Sequence, residues 1–159
     1  MKVLALDPGG TTGWVLYTLK EETYGLTEKW DEGQLGPEEH HVDLYMLINS
    51  LCMEALAQND EFIVVCESFE FRQNRQRDNI NLMSKEYIGV VKLIAQTLGI
   101  PVVFQTAGAA KPFVTDQKLK AMLLYSTNQR HANDAKRHAV FYLVTKKKLH
   151  HLVETWKKL

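Results

Sequence analysis

The stretch Phe62-Ile63-Val64-Val65-Cys66 is apolar without interruption and ends at Glu67. A strand without polar alternation has both faces in a core, which requires a sheet covered by helices on each side. The start of the chain repeats the theme, with Val3-Leu4-Ala5-Leu6 running into Asp7. Two such strands restrict the chain to the α/β architectures.

The connections give the order. Asp7-Pro8-Gly9-Gly10-Thr11-Thr12-Gly13 is a tight turn, and residues 12–19 follow as a run rich in β-branched and aromatic side chains. The pair reads as a β-hairpin. Residues 28–35 make a polar third strand, which belongs at an edge. Pro37 opens a helix at its first turn, with Val42, Leu44, Tyr45, Leu47, Ile48, Leu51 and Leu56 at helical spacing. Residues 84–98 form the next helix, with Tyr87, Ile88, Val91, Ile94, Ala95 and Leu98 inward and Gly99 and Pro101 ending it. Residues 101–105 read as a buried strand, 114–125 and 131–144 as helices, and a short final helix follows Lys146-Lys147-Lys148. The expected fold is a mixed five-stranded sheet flanked by helices on both faces, in one domain spanning residues 1–159.

With 159 residues, 45% hydrophobic and 24% charged, the chain has the composition of a soluble globular protein, which excludes intrinsic disorder. No run of about 18 apolar residues is present to cross a membrane. The first residues reach Asp7 too early for a secretory signal. Cys52 and Cys66 alone make neither a disulfide framework nor a Cys-rich zinc site. A reducing cytoplasm is the expected location.

The net charge of zero hides a split. Residues 1–70 carry three lysines against fourteen acids, and residues 71–159 carry sixteen bases against five acids. Such asymmetry suggests a polyanionic partner. The plainer reading is that the two halves neutralise each other in one fold.

Asp7 and Glu67 end what would be neighbouring central strands, and ligands of open α/β sheets gather at the carboxyl ends of strands. Two unpartnered carboxylates there repel, and each favours its protonated form. A divalent cation removes the conflict, and Asp and Glu oxygens suit Mg²⁺ or Mn²⁺. His131 and Asp134, three residues apart on one helix face, complete the cluster if that helix packs beside the sheet. Each residue also has a plain structural reading. An acid at a strand end can hold a turn, Glu70 competes with Glu67, His131 can be a helix-end histidine, and Asp134 can cap a helix.

The segment LALDPGGTTGWVLY, residues 4–17, resembles the opening of RuvC-type Holliday-junction resolvases of the RNase H-like superfamily. Val64-Val65-Cys66-Glu67 is similar to that family's second acid at the end of a buried strand. His131-Ala132-Asn133-Asp134 is similar to the His-x-x-Asp of some members, and Asp134-Ala135-Lys136-Arg137-His138-Ala139 looks like the phage-type versions. The resemblance covers roughly residues 2–145. It implies an RNase H-like fold and a metal-dependent, structure-selective DNA endonuclease that resolves four-way junctions by paired symmetric nicks. It implies a bacterial host cell, with the chain encoded by the bacterium or by a phage. It also implies two Mg²⁺ or Mn²⁺ ions per site, with Asp7 bridging them, Glu67 holding one, and Asp134 with His131 holding the other. Where many relatives have a second Asp near the last, this chain has His131 or Arg137, and His138 rivals His131 as the fourth ligand.

On the DNA side, Phe69 and Phe71 stand beside Arg72, Arg75 and Arg77 directly after Glu67. Arginines reach phosphates, and aromatic rings stack on unpaired bases. The resemblance implies that one of the two rings enters the junction centre. The alternative is one Phe in the core and solvated arginines. Lys111, Lys118, Lys120, Arg130, Lys136 and Arg137 would extend a basic surface around the site. Symmetric nicks require a C₂ homodimer. By resemblance the helix over residues 84–98 forms its interface through Tyr87, Ile88 or Val91, unless that apolar face serves the monomer core.

Three further readings stay open. Asp7-Pro8-Gly9-Gly10-Thr11 loosely fits the phosphate loop of actin-like nucleotide-binding domains, although those proteins need two such domains. A non-catalytic DNA-binding protein would keep the fold without the chemistry. A same-fold nuclease acting on flaps, forks or RNA–DNA hybrids would have the same acids.

Overall fold

The computed structural model describes residues 1–69 and 82–159. In chain order they form strands β1 (Lys2–Asp7), β2 (Thr12–Glu22) and β3 (Gly25–Leu35), helix α1 (His41–Ala57), strand β4 (Phe62–Glu67), helix α2 (Met83–Leu98) and strand β5 (Val102–Gln105). Helices α3 (Ala107–Phe113), α4 (Asp116–Ala121) and α5 (Arg130–Thr145) follow, then a 3₁₀ helix at His150–Lys158. The sheet order is β3-β2-β1-β4-β5. The first three strands pair antiparallel, whereas β4 and β5 add in parallel to β1. This is the expected mixed five-stranded sheet, with polar β3 at an edge.

Strand alternation sorts the core into two layers. Leu4, Leu6, Val64 and Cys66 face α1 and α2, where they meet Leu44, Ile48, Tyr87, Val91 and Ile94. Val3, Ala5, Ile63 and Val65 face α5, against Ala135, Ala139, Tyr142 and Leu143. Asp7 and Glu67 have the parity of this second set, so both end their strands on the α5 side. Gln105 pairs with Glu67 across the ladder and follows Val103, which packs in the same layer, so it shares that side.

α5 packs onto the sheet through small residues. Ala132, Ala135 and Ala139 are fully buried beneath it. A Cβ built on Gly13 would lie 1.9 Å from the His131 carbonyl oxygen. Only a residue without a side chain lets the first turn of α5 rest on β2 there.

The structure differs from the sequence reading in four elements, the first being α3 (Ala107–Phe113), which the sequence reading did not contain. α1 begins at His41, not at Pro37. Its buried stripe is Leu44, Ile48, Cys52 and Ala55, whereas Val42, Tyr45 and Leu56 are exposed. The region 114–125 is not one helix. Thr115 is extended, its Oγ1 accepts from the Lys118 N–H to start the six-residue α4, and Leu123 has a positive φ of 59° shortly after α4 ends. Tyr87, Ile88 and Val91 are buried in the core beneath α1 and cannot be surface contacts of a dimer as α2 now lies.

The charge split is partly resolved inside the chain. Lys111 pairs with Asp7 and Glu67, Lys136 with Glu32, and Lys147 with Glu61, each a base of the second half against acids of the first. Among the described residues no helix is long and apolar enough to cross a membrane.

Candidate functional site

Asp7 and Glu67 stand side by side at the ends of parallel neighbours β1 and β4. α5 brings Asp134 and His131, one turn apart, to the same edge, because Gly13 lets that helix start against β2. α3, whose first turn is capped by Thr106, brings Lys111. The Lys111 Nζ lies 3.6 Å from Asp7 Oδ1, 3.0 Å from Glu67 Oε2 and 3.2 Å from Asp134 Oδ2. Three carboxylates from three elements thus converge on one positive charge. His131 Nδ1 lies 3.4 Å from Asp7 Oδ2, and His138 Nε2–H donates to Glu67 Oε2 at 2.8 Å.

The two strand-end acids are shifted in opposite directions. Burial raises the Asp7 pKa, and the neighbouring Glu67 charge adds to it, although His131 and Lys111 oppose. Burial also acts to raise Glu67, but hydrogen bonds from His138 and Asp7 and the Lys111 charge outweigh it and hold the group at about 2. Burial acts to lower the Lys111 pKa, and the surrounding acids raise it. His131 is raised by its bond to Asp7, against the effect of burial.

This donor set fits a hard divalent cation. Carboxylate oxygens with one imidazole suit Mg²⁺ or Mn²⁺, and the three acids already turn one oxygen each toward the Lys111 ammonium. Ligand-type atoms of Asp7, Glu67 and His138 also lie within 4.8 Å of one another.

The remaining sequence candidates are placed as follows. Phe69 is half-buried against the α1–α2 side of the core, with Lys85 Nζ 4.9 Å above its ring. It lines a cleft of about 460 Å³ with Pro8, Ser84, Gly108 and Lys111. A second cleft of about 470 Å³ opens across Lys111, between Tyr125, Asn128, Arg130 and Asp134. Phe71, Arg72, Arg75 and Arg77 lie outside the described residues. Lys111, Lys118 and Arg137, read from sequence as basic surface, are engaged within the chain. Lys118 Nζ donates to the Phe113 carbonyl at 2.7 Å and sits 4.4 Å over the Trp156 ring. Arg137 Nε donates to the Val114 carbonyl at 3.0 Å, while its guanidinium bonds Asp134 and Asp116. Lys136 is buried, donating to Ser126 Oγ at 2.8 Å beside Glu32. Each of these cations is held by a carboxylate or carbonyl of the chain itself.

Sequence reasoning missed the contact of Gln105 with His138. The parity of Gln105 with Glu67 across adjacent buried strands is the signal that finds it.

A mixed sheet of this order, with acids ending its central parallel strands, defines the RNase H-like class of α/β folds. No protein-family model matches the sequence, and no curated protein matches it. Among solved structures, the chain is similar to RuvC from Thermus thermophilus. One such structure, a complex with a Holliday junction substrate, superposes with a TM-score of 0.57 at 19% identity, over 92% of this chain and 97% of that one. Another gives 0.56 at 18% identity, over 89% and 95%. The chain has the RuvC-type fold over most of its length, and the resemblance read from its motifs holds at that level.

Proposed function

We propose that this protein is a metal-dependent, structure-selective DNA endonuclease that resolves four-way junctions by paired symmetric nicks. The observation that supports it most is the convergence of Asp7, Glu67 and Asp134 on one cationic point, with His131 alongside. Asp7, Glu67, Asp134 and His131 would hold two Mg²⁺ or Mn²⁺ ions. Bound ions supply an activated water and charge neutralisation at phosphorus.

The chain's own residues set up the rest. Asp7 and Glu67 concentrate negative charge at the strand ends, which attracts cations and repels phosphate until that charge is neutralised. Lys111 stands between the two clefts, leaving room for a DNA strand on either side of the acids. Phe69 lines the first cleft beside Lys85. Two copies related by a two-fold axis would cut both strands of a junction. Residues 1–159 would act as one nuclease domain in the cytoplasm of a bacterial or phage-infected cell.

The test is cleavage of labelled four-way junction, flap, fork and linear duplex DNA with Mg²⁺, Mn²⁺ or EDTA, beside Asp7→Asn. Symmetric, metal-dependent nicks in the junction, lost in Asp7→Asn, are expected. Equal or better cutting of flaps and forks would leave a branched-DNA nuclease and remove junction resolution. Binding without any cutting would leave a DNA-binding protein.

A further inference from the structure

We propose that His138, braced by Gln105, is a positioning residue that fixes the Glu67 carboxylate, and that its ring is not itself a cation ligand. The proposal rests on the reading that the acid cluster holds a divalent cation.

Three elements meet behind the acids. His138 lies four residues after Asp134 on α5 and has 0% of its surface exposed. Its Nε2–H donates to Glu67 Oε2 at 2.8 Å, and its Nδ1 lies 2.9 Å from Gln105 Oε1. The amide of Gln105 can close that nitrogen in either orientation. Gln105 is itself buried, pairs with Glu67 in the ladder, and its carbonyl accepts from the Ser68 N–H at 2.7 Å. The row Gln105, His138, Glu67 is therefore anchored by β5, α5 and β4 together.

Both ring nitrogens of His138 are occupied in a place without solvent. Ligation by this ring would break one of the two bonds and leave a buried partner unsatisfied. His131 differs, since its side chain is 40% exposed and faces Asp7 at the open side. A glutamate at a strand end has three rotatable bonds to lose on gathering around a cation. A hydrogen bond already made at Oε2 removes much of that loss, as outer partners of metal ligands do elsewhere.

Mn²⁺ alone is the probe, titrated into the full chain and read by the electron-paramagnetic signal of free ion. His138→Phe is expected to weaken binding roughly 10- to 100-fold. His138→Gln, whose amide N–H can reach Glu67, should recover most of it. Gln105→Leu, which touches no acid, should weaken binding roughly 3- to 10-fold by loosening the ring, a lesser effect of the same kind. Nitrogen coupling in the pulsed spectrum of bound Mn²⁺ should be the same in wild type and His138→Gln. If His138→Phe does not fold, His138→Gln and Gln105→Leu decide. Wild-type affinity in both Gln105→Leu and His138→Phe overturns the positioning role while leaving the cation site standing. Loss of a nitrogen coupling in His138→Gln overturns it in favour of direct ligation. A wild-type chain that binds no Mn²⁺ overturns both this proposal and the reading beneath it.

Discussion

Gly13 and His131 touch through their backbones, so that a methyl group on Gly13 would lie 1.9 Å from one carbonyl oxygen and 2.7 Å from the Ala132 nitrogen. Asp7 pairs with Gly13 across the hairpin, so the same contact sets the distance between the first acid and the helix that carries the last.

Gly13→Ala is therefore expected to push α5 off the sheet. Forcing a methyl into close packing costs about 1–3 kcal/mol, which lowers the melting temperature by roughly 3–10 °C for a chain of this length. Mn²⁺ affinity should fall with it, because Asp134 moves away from Asp7. Unchanged melting and Mn²⁺ binding in Gly13→Ala would show that the contact does not set the site.

The two strand-end acids should act on stability with opposite signs. Burial raises Asp7 above its ordinary 3.8, so its contribution to stability is complete below that pH and is lost as pH rises through the folded value. The metal-free Asp7→Asn protein should melt above wild type at pH 7 and lose that advantage as pH falls below the ordinary 3.8. Glu67 is held at about 2 against an ordinary 4.5, so its contribution is complete above pH 4.5 and fades as pH falls through about 2. Glu67→Gln should therefore be less stable than wild type at pH 7 and approach it near pH 2. Unfolding in EDTA across this range checks both, and an Asp7→Asn protein less stable at pH 7 would contradict the assignment.

Lys111 neutralises acids that a cation would otherwise neutralise. Lys111→Met should destabilise the metal-free protein by about 1–3 kcal/mol, the usual cost of leaving buried polar groups unsatisfied. Saturating Mg²⁺ should return much of that loss. Melting curves with EDTA and with Mg²⁺ test this, and an equal loss in both would mean that the ammonium and the metal do not share the same carboxylates.

Arg137 is tied to Asp134, Asp116 and the Val114 carbonyl, so its removal should read as a structural change. Arg137→Leu is expected to cost about 2 kcal/mol or more, since it strips a partner from a buried acid. The salt dependence of junction binding in EDTA should keep its wild-type slope, because no phosphate contact is lost. A slope reduced by about one would return Arg137 to the DNA surface.

The strands were legible because burial on both faces leaves a continuous apolar run, and the acids were legible because they end those runs. Period-two parity then places both carboxylates on the side of α5. What was not legible depends on packing. Lys111, Lys118, Lys136 and Arg137 read alike as surface bases, since nothing local shows that α3 and α5 turn them toward carbonyls and carboxylates. Val42 and Leu56 fit a helical stripe as well as Leu44 and Ile48 do, and only the placement of α2 decides which of them is covered. α3 was not read at all, since Ala107-Gly108-Ala109-Ala110 shows no apolar stripe, and α4 stops at Ala121 where the reading ran on to residue 125, past the positive φ of Leu123.

The cluster draws on residues 7, 67, 111 and 134, and this spacing orders events during synthesis. A nascent chain ending before α5 carries Asp7 and Glu67 but neither Asp134 nor the histidines. One whole face of its sheet, Val3, Ala5, Ile63 and Val65, is still bare. On the proposed reading such a fragment has no trap for a cation and no means of cutting DNA, while its uncovered apolar face invites chaperones and proteases. A cell making this chain would be protected from its half-finished product, because α5 both covers that face of the sheet and completes the chemistry.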